Sequence, residues 1–598
     1  MSTPTKCPDI TCCSSSQSEG EKLSVQARKR IIAKNLLSQG MHSAENFDPP
    51  VIAVLGSGGG LRAMNAFLGT LSKLSELKLL DVVTYVSGTS GSTWCMASLY
   101  NNEKWSDFSC MEEMESQIYD RLQSTWNWDK SWEKLEKAFL EEVFSLTDLW
   151  AYVVVYWMTN EIHERNLSNH KVVCENGVNP YPVYSAIEKE EGTWFEFTPH
   201  MCGFPAYKCF VKTEFLGSKF EAGRLLKKQP EKDLSYLNGL WGSALSSDNL
   251  IREITERFWG SAPSNNYLFH DFIKKIFHEL MSNKPIGTSE EPNPILEQKT
   301  KFARGQTCSC RGCKKIERLL SHDLTGRTEE YKKKFWKDFA KDLEDTKEIT
   351  PEAEKDTTSL MSGIYKIIAK MLKGIAFRLM HFFTPKGTCN TATVIKNIAV
   401  CLAEWKWGTT NNFLYKWKSN IPLSSKKHIS LVDAGLDINI AFPLMLPPHR
   451  NTDLILSFDF SEGDPFETLK KTAEQFPFPK ITIEDKDVKI PSKSCYIFEG
   501  DGDGIPDVMY FPLFNNQTSE GKVDEMREKY ATIHISYDES QVKELLEVSK
   551  NNVEKNYTQI REKIKQCVQR CNLRRAGEAA AYGVMNTGGA MEEKSKDN

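Results

Sequence analysis

The sequence lacks three features that would place it in broad classes of protein. Its longest nearly unbroken apolar stretch, Leu149 to Met158, is about half of the roughly 20 residues that a membrane-spanning helix needs. Its 76 Lys and Arg residues are balanced by 80 Asp and Glu residues, whereas a dedicated nucleic-acid binder carries a basic excess. Its first 25 residues contain no apolar segment typical of a secretory signal. We therefore expect an intracellular protein, with few or no disulfides among its 16 cysteines.

Two consecutive strand–turn–helix patterns open the main part of the chain. Each has a short apolar run, then a turn rich in glycine and serine, then a helical spacing of apolar residues. The strands are predicted at Val51–Leu55 and Val82–Val86, the turns at residues 56–60 and 88–92, and the helices at Leu61–Leu77 and Thr93–Tyr100. This repetition predicts an α/β fold built on a central sheet.

Composition divides the rest of the chain. It predicts an N-terminal extension with a basic helix at residues 1–48 and one large catalytic domain at residues 49–575. Within that domain, residues 282–394 form an insertion whose first part is rich in charged residues and proline. A long amphipathic helix is predicted at Ser540–Cys571, and residues 576–598 read as a flexible tail.

The second turn matches a nucleophile elbow. Residues 88–92 read Gly-Thr-Ser-Gly-Ser, which fits four of the five positions of G-x-S-x-G, with Ser92 in place of the last glycine. This predicts Ser90 as a nucleophile exposed between a strand and a helix. The glycine loop at 56–60 could then supply backbone N–H groups to an oxyanion. Nucleotide binding is the alternative for that loop, although it lacks the Gly-Lys-Ser/Thr ending of a P-loop.

A serine nucleophile needs a base, and two candidates follow the insertion. Asp433 ends an apolar strand just before a small-residue turn, where an α/β sheet presents catalytic side chains. His534 follows a strand-like run and would complete a Ser, Asp, His order. A purely structural role for Asp433, as a cap of the turn, is the remaining alternative.

These motifs resemble group IV cytosolic phospholipase A2, and within that family the gamma type, which lacks an N-terminal C2 domain. The resemblance runs from about residue 50 to residue 515. It rests on the blocks at residues 56–64, 85–100, 194–199, 215–220, 239–244 and 432–460. It implies an α/β fold with a patatin-like or lysophospholipase core, a central mixed sheet and an inserted cap or lid region.

The resemblance also implies a mechanism with a Ser/Asp dyad and no histidine. By position it assigns the nucleophile to Ser90, the general base to Asp433, the oxyanion hole to Gly59 and Gly60, substrate-phosphate binding to Arg62 and a further substrate-binding role to Arg450. The expected activity is calcium-independent hydrolysis of phospholipid and lysophospholipid acyl esters, without a cofactor or metal, and acyl transfer is left open as a further activity. The alternative is a catalytically silent lipid-binding scaffold that keeps the fold.

Two segments suggest metal ions only weakly. Residues 499–507 imitate the start of a calcium loop, but Tyr510 stands where an EF-hand places a bidentate Glu, so a turn between strands is favoured. The thiols of Cys308, Cys310 and Cys313, with His322, do not have a common zinc spacing. A cluster of cysteines without metal is therefore the preferred interpretation.

A basic amphipathic pattern at residues 359–383 suggests contact with lipid. Its apolar residues recur at helical spacing, and its only charged residues are Lys366, Lys370, Lys373 and Arg378. A cap helix over the active site would show much the same pattern. We expect a peripheral protein of intracellular membranes, such as the endoplasmic reticulum, with no nucleic-acid partner and no obligate protein partner.

Overall fold

The structure is a computed structural model that describes residues 17–42, 47–247 and 406–592, apart from residues 125, 126, 140, 419, 503, 533 and 535, together with a short strand at Thr11–Cys12. The cysteine cluster at 308–313 with His322, the charged insertion at 282–394 and the predicted lipid-contact helix at 359–383 lie outside the described residues.

A mixed sheet of twelve strands forms the centre of the described fold. The described residues form fourteen strands, twelve in this sheet and two outside it. They are β1 Thr11–Cys12, β2 Ile52–Gly56, β3 Tyr85–Gly88, β4 Tyr181–Glu188, β5 Trp194–Phe197, β6 Met201–Phe204, β7 Cys209–Lys212, β8 Lys219–Glu221, β9 Arg224–Lys227, β10 Thr409–Asn411, β11 His428–Asp433, β12 Leu454–Asp459, β13 Tyr496–Phe498 and β14 Asp507–Pro512. The order β4-β3-β2-β12-β14 is parallel, and antiparallel strands extend the sheet at both ends. Strands β8 and β9 form a separate hairpin.

Helices connect and cover the strands. They are α1 Glu19–Ser38, α2 Gly60–Glu76, α3 Gly91–Leu99, α4 Phe108–Leu122, α5 Trp128–Phe139, α6 Leu146–Leu149, α7 Tyr156–Thr159, α8 His170–Glu175, α9 Leu234–Trp241, α10 Phe442–Met445, α11 Glu467–Gln475, α12 Val523–Lys529, α13 Glu539–Lys555 and α14 Tyr557–Glu592. A π-helical segment spans Trp150–Val155. No helix within the described ranges is long and apolar enough to cross a membrane.

The two predicted strand–turn–helix units are present, and their strands are buried along their whole length. Such continuous burial is expected of parallel strands covered on both faces, and it explains the unbroken apolar runs in the sequence. The second strand begins at Tyr85, later than predicted, because Leu80–Val82 forms a 3₁₀ turn. The α/β fold class predicted from the sequence is confirmed.

The long helix predicted at Ser540–Cys571 is two helices, α13 and α14, with a break at Asn556. The Asn556 side chain donates to the Asn552 carbonyl oxygen at 2.7 Å. That carbonyl is the acceptor that the Asn556 backbone N–H would use in a continuous helix, and the N–H donates to Val553 instead. The predicted boundary of a flexible tail at residue 576 falls inside α14.

The chain divides into two compact units. The first comprises residues 1–131, 149–244 and 408–598 and contains the central sheet. The second comprises Trp132–Asp148 and Leu245–Trp407. In its described part, the rings of Phe139 and Phe144 lie 4.8 Å apart, and the Leu146 N–H donates to the Lys406 carbonyl oxygen at 2.8 Å. The predicted domain boundaries at residues 48 and 575 stay predictions.

Candidate active site

Ser90 lies at the junction between β3 and α3. Its backbone has φ +52° and ψ −122°, a conformation that a non-glycine residue rarely adopts and that turns the chain sharply from strand to helix. Gly91 allows this turn to pass close to the glycine loop, because a Cβ at Gly91 would lie 1.9 Å from the Gly60 carbonyl oxygen. The Ser90 side chain is therefore held at the start of α3 and beside the start of α2.

The Ser90 hydroxyl lies close enough to the Asp433 carboxyl to influence its pKa. Asp433 is 1% exposed, and its burial raises its carboxyl pKa to about 7, although interactions with the Gly435 N–H and the Ser90 hydroxyl oppose the rise. The Gly435 N–H donates to Asp433 Oδ1 at 2.8 Å and fixes the orientation of the carboxyl group. The pair therefore joins a hydroxyl to a carboxylate whose pKa suits proton transfer near neutral pH.

The register of β4 explains why these two residues meet. Gly88, at the end of β3, pairs with Tyr184, and Asp433, at the end of β11, pairs with Ala186. Strand β5 occupies the opposite edge of β4, so β3 and β11 share one edge and approach each other from opposite directions. The ends of these two strands are thus brought together by two nearby positions on a third strand.

The glycine loop forms the other wall of the site. Gly59 and Gly60 have φ values of +147° and +60°, which glycine tolerates and other residues rarely adopt. Gly60 begins α2, so these two residues lie where helix N–H groups lack intrahelical carbonyl partners. Ser92 Oγ donates to the Ser57 carbonyl oxygen at 2.6 Å and ties the loop to the elbow. The loop is thereby held next to the elbow, and the oxyanion role predicted for Gly59 and Gly60 stays a prediction.

Arg62 lies behind this loop and is 1% exposed. Its guanidinium donates to the carbonyl oxygens of Phe460, at 2.6 Å, and Tyr530, at 2.5 Å, and to Thr532 Oγ1, at 2.9 Å. Burial lowers the pKa of this guanidinium. A Cβ at Gly59 would lie 2.7 Å from Arg62 Nη2, so the cation packs directly against the loop. The predicted phosphate contact of Arg62 stays a prediction.

Arg450 is 2% exposed and lies between two carboxylates, Glu21 on α1 and Glu196 on β5. These partners and the Leu444 carbonyl oxygen engage its Nε, Nη1 and Nη2 atoms. No hydrogen bond joins it to Ser90 or Asp433 among the contacts of the described residues. The predicted substrate-binding role of Arg450 also stays a prediction.

Three polar residues that the sequence did not single out support the site. Ser185, on β4 between the two register positions, donates to the Gly88 carbonyl oxygen at 2.9 Å. Ser243 Oγ accepts from the Asp433 N–H at 3.2 Å. Asn439 joins the Asp433 segment to the glycine loop, because its carbonyl oxygen accepts from the Gly58 N–H at 3.0 Å. Serine and asparagine at such positions give no distinctive sequence pattern before the strand neighbours are known.

The alternative candidates lie in other environments. His534 Nδ1 lies 2.9 Å from the Lys529 carbonyl oxygen, whereas Asp433 is the residue whose pKa the Ser90 hydroxyl influences. The calcium-like segment is a turn between β13 and β14, as the sequence favoured, and Asp507 bonds to Arg570 and Lys563. Among the described residues, no group of three His, Cys, Asp or Glu side chains could hold a metal ion.

Comparison with known proteins gives concordant results. Residues 52–319 match the family model described as the lysophospholipase catalytic domain. The chain is 37% identical to human cytosolic phospholipase A2 gamma over 90% of its own length and 93% of the relative, and 36% identical to the mouse gamma protein. It resembles the solved structure of human GIVD cytosolic phospholipase A2 with a TM-score of 0.63 at 22% identity, covering 95% of this chain and 69% of that one.

Proposed function

Since the chain belongs to the cytosolic phospholipase A2 family and is a phospholipase A2, we propose that it hydrolyses acyl esters of glycerophospholipids and lysophospholipids through an acyl-serine at Ser90. The observation that carries this proposal is the approach of Ser90, through the register of β3 and β11 on β4, to a buried Asp433 whose pKa is about 7. Near neutral pH a large share of Asp433 is ionised, and the carboxylate can accept the Ser90 proton directly.

In the first half of the reaction, Ser90 Oγ attacks the ester carbonyl carbon while Asp433 takes the hydroxyl proton. The carbonyl oxygen becomes an oxyanion, and in this proposal the N–H groups of Gly59 and Gly60 donate to it. The tetrahedral intermediate then expels the alcohol oxygen of the lipid, which receives the proton from Asp433. This leaves the acyl group on Ser90 and releases a lysophospholipid or a glycerophosphodiester.

In the second half, Asp433 removes a proton from water, and the hydroxide attacks the acyl-serine. Breaking the acyl–oxygen bond releases the fatty acid and returns the proton to Ser90 Oγ. A lysophospholipid hydroxyl in place of water would complete a transacylation by the same steps, so the proposal includes acyl transfer. The buried cation of Arg62 lies next to Gly59 and would favour the oxyanion electrostatically.

We further propose that the reaction is independent of calcium and takes place at the cytoplasmic surface of membranes. The residues assigned to the chemistry are a hydroxyl, a carboxyl and backbone N–H groups, none of which needs a metal ion. The names of the relatives as cytosolic phospholipases support the cytoplasmic location. The basic amphipathic pattern at residues 359–383 supports membrane contact from the sequence alone.

A fluorophosphonate, which phosphonylates activated serines with loss of fluoride, separates this enzyme from a silent lipid-binding scaffold. The purified full-length chain should be labelled at Ser90, located by peptide mass spectrometry, and should lose phosphatidylcholine hydrolysis in proportion to labelling. Ser90→Ala should bind vesicles like the wild type but remain unlabelled. A wild-type protein that binds phosphatidylcholine vesicles without labelling or turnover would favour the scaffold instead.

A further inference from the structure

A buried ion cluster joins the N-terminal helix to the sheet. Arg450 Nε donates to Glu21 Oε1 at 3.1 Å, and Arg450 Nη1 donates to Glu196 Oε2 at 2.8 Å. Arg450 Nη2 contacts the second oxygen of each carboxylate, at 3.4 Å and 3.2 Å. The Arg450 and Glu196 side chains are 0% and 1% exposed, and Glu21 is 2% exposed. The planar guanidinium therefore fixes two carboxylates from separate elements in one geometry.

The first arm of this cluster reaches the strand that carries the nucleophile. The Tyr85 hydroxyl, at the start of β3, donates to Glu21 Oε1 at 3.0 Å, and Gln17 Nε2 donates to that hydroxyl at 3.0 Å. The Arg450 guanidinium also lies over the Tyr85 ring, 5.6 Å from its centroid. Glu21 thus touches β3 three residues before Gly88, although it lies outside the predicted catalytic domain.

The second arm reaches the elbow through two strands. Glu196 on β5 lies directly opposite Ser185 on β4, so the two side chains emerge on the same face of the sheet. Ser185 Oγ donates to the Gly88 carbonyl oxygen at 2.9 Å and lies 3.2 Å from Thr89 Oγ1. The two arms therefore contact β3 at its start and at its end. The residues between these contacts determine where Ser90 lies relative to the sheet.

We propose that Glu21 is a positioning residue for the reaction at Ser90, acting through Arg450, Glu196 and Tyr85 to hold the elbow in register with Asp433. The inference rests on the proposed function of Ser90. In this arrangement Arg450 is a brace of the sheet rather than a ligand of the lipid phosphate. The N-terminal helix is then part of the catalytic unit, because displacing a nucleophile by about 1 Å can cost roughly 10²-fold in rate.

The test uses Glu21→Gln in the full-length chain, with Asp507→Asn as a matched control. Asp507 is also a fully buried carboxylate on a strand of the same sheet, and it holds α14 through Arg570 and Lys563. Both changes break a buried ion pair between a terminal helix and the sheet. The measurements are Tm, kcat and KM on a monomeric soluble ester, and the rate of fluorophosphonate labelling.

Glu21→Gln should lower kcat and the labelling rate by about tenfold to 10²-fold with KM within about twofold, because positioning acts on the chemical step. Glu21→Asp, which keeps the charge, should recover part of the loss. Asp507→Asn should lower Tm comparably but keep kcat within about twofold of the wild type. Equal kcat losses in Glu21→Gln and Asp507→Asn, or a kcat for Glu21→Gln within twofold of the wild type, would overturn the inference.

A third variant keeps the inference testable if Glu21→Gln does not fold. Tyr85→Phe removes one hydroxyl and leaves the ion cluster in place, and it should lower kcat severalfold at a Tm close to that of the wild type. Unchanged kcat in Tyr85→Phe would then contradict the inference. Failure of the proposed function looks different, because the wild type itself would not be labelled at Ser90.

Discussion

Gly88 and Asp433 approach each other from opposite directions along the same edge of β4, the first paired with Tyr184 and the second with Ala186. Strand β3 runs parallel to β4 and strand β11 runs antiparallel to it, so the carboxyl ends of β3 and β11 lie close together. Ser90 follows Gly88 after one residue, and its hydroxyl lies close enough to the Asp433 carboxyl to influence the pKa of that group. The separation of Ser90 and Asp433, the proposed nucleophile and base, is therefore set by the register of backbone hydrogen bonds, which is more rigid than loop packing would be.

Asp433→Asn should lower kcat by roughly 10²- to 10⁴-fold, because the amide keeps the shape of the carboxyl but cannot accept a proton. Ser90→Ala should lose nearly all turnover, and the double variant should be little worse than Ser90→Ala because the two residues act as one unit. Steady-state hydrolysis of a soluble ester measures all three. His534→Ala is the control; if it abolished turnover while Asp433→Asn retained it, His534 would be the base.

The pH dependence of kcat/KM should show an acid limb with an apparent pKa near 7. Asp433 acts as a base only when ionised, and burial holds its pKa at about 7, so activity should rise as the pH increases through this value. A rate profile from pH 5 to pH 9 on a monomeric ester measures the limb. A limb near pH 4 would show that the carboxyl of Asp433 is not desolvated in the working enzyme.

The same pKa predicts a cost in stability. The folded pKa of Asp433 lies above the ordinary value of 3.8, so the folded state binds more protons between about pH 4 and pH 7 and loses stability as the pH rises through that window. At 1.36 kcal/mol per pKa unit the full cost is about 4 kcal/mol. Calorimetry should show that Asp433→Asn raises the free energy of unfolding more at pH 8 than at pH 5. An equal gain at both values would contradict this.

Gly91→Ala should lower kcat by roughly 10²- to 10³-fold, the usual cost of losing an oxyanion donor. The added Cβ would lie 1.9 Å from the Gly60 carbonyl oxygen and would have to displace the glycine loop from Ser90. Gly463→Ala is the matched control, since its Cβ would meet nothing within 4 Å. Comparison of kcat at equal Tm tests the effect, and similar rates in both variants would remove Gly60 from the oxyanion hole.

Calcium chelation should leave both vesicle binding and hydrolysis unchanged. The calcium-like turn places Asp507 against Lys563 at 3.0 Å and Arg570 at 2.5 Å, and these cations already balance its charge. Hydrolysis and sedimentation with vesicles, measured with a chelator and with added calcium, decide the question. A loss in chelator that calcium restores would make residues 499–507 a calcium site.

The basic pattern at residues 359–383 predicts salt-sensitive binding to anionic membranes. Replacing Lys366, Lys370 and Lys373 with Glu should weaken binding to anionic vesicles by about 3 kcal/mol or more, at about 1 kcal/mol per cation. Hydrolysis of a monomeric ester should persist. A control with three lysines whose side chains are partly or fully open to solvent changed to Glu, at Lys470, Lys471 and Lys486, should bind vesicles like the wild type. Equal binding by both triple variants would assign the pattern to a buried cap helix.

The sequence by itself determined the class of fold and the local surroundings of Ser90. Buried parallel strands need continuous apolar runs, and a sharp strand-to-helix turn needs small residues, so both leave local patterns. The two strand–turn–helix units could be predicted for this reason. The break at Asn556 could not, because a helical period continues across it and only the side-chain bond to Asn552 ends α13.

Only the tertiary structure decided which distant residues meet. The pairing of β11 with β4 brings Asp433 to Ser90, and no spacing within the sequence records that register. The environments of Arg62 and Arg450 also depend on folding. The sequence does not show that either arginine is buried, yet each lies among hydrogen-bond acceptors from remote segments. Hydrophobic periodicity is a property of neighbours in the chain, whereas strand register, burial and the pKa of Asp433 depend on which elements pack together.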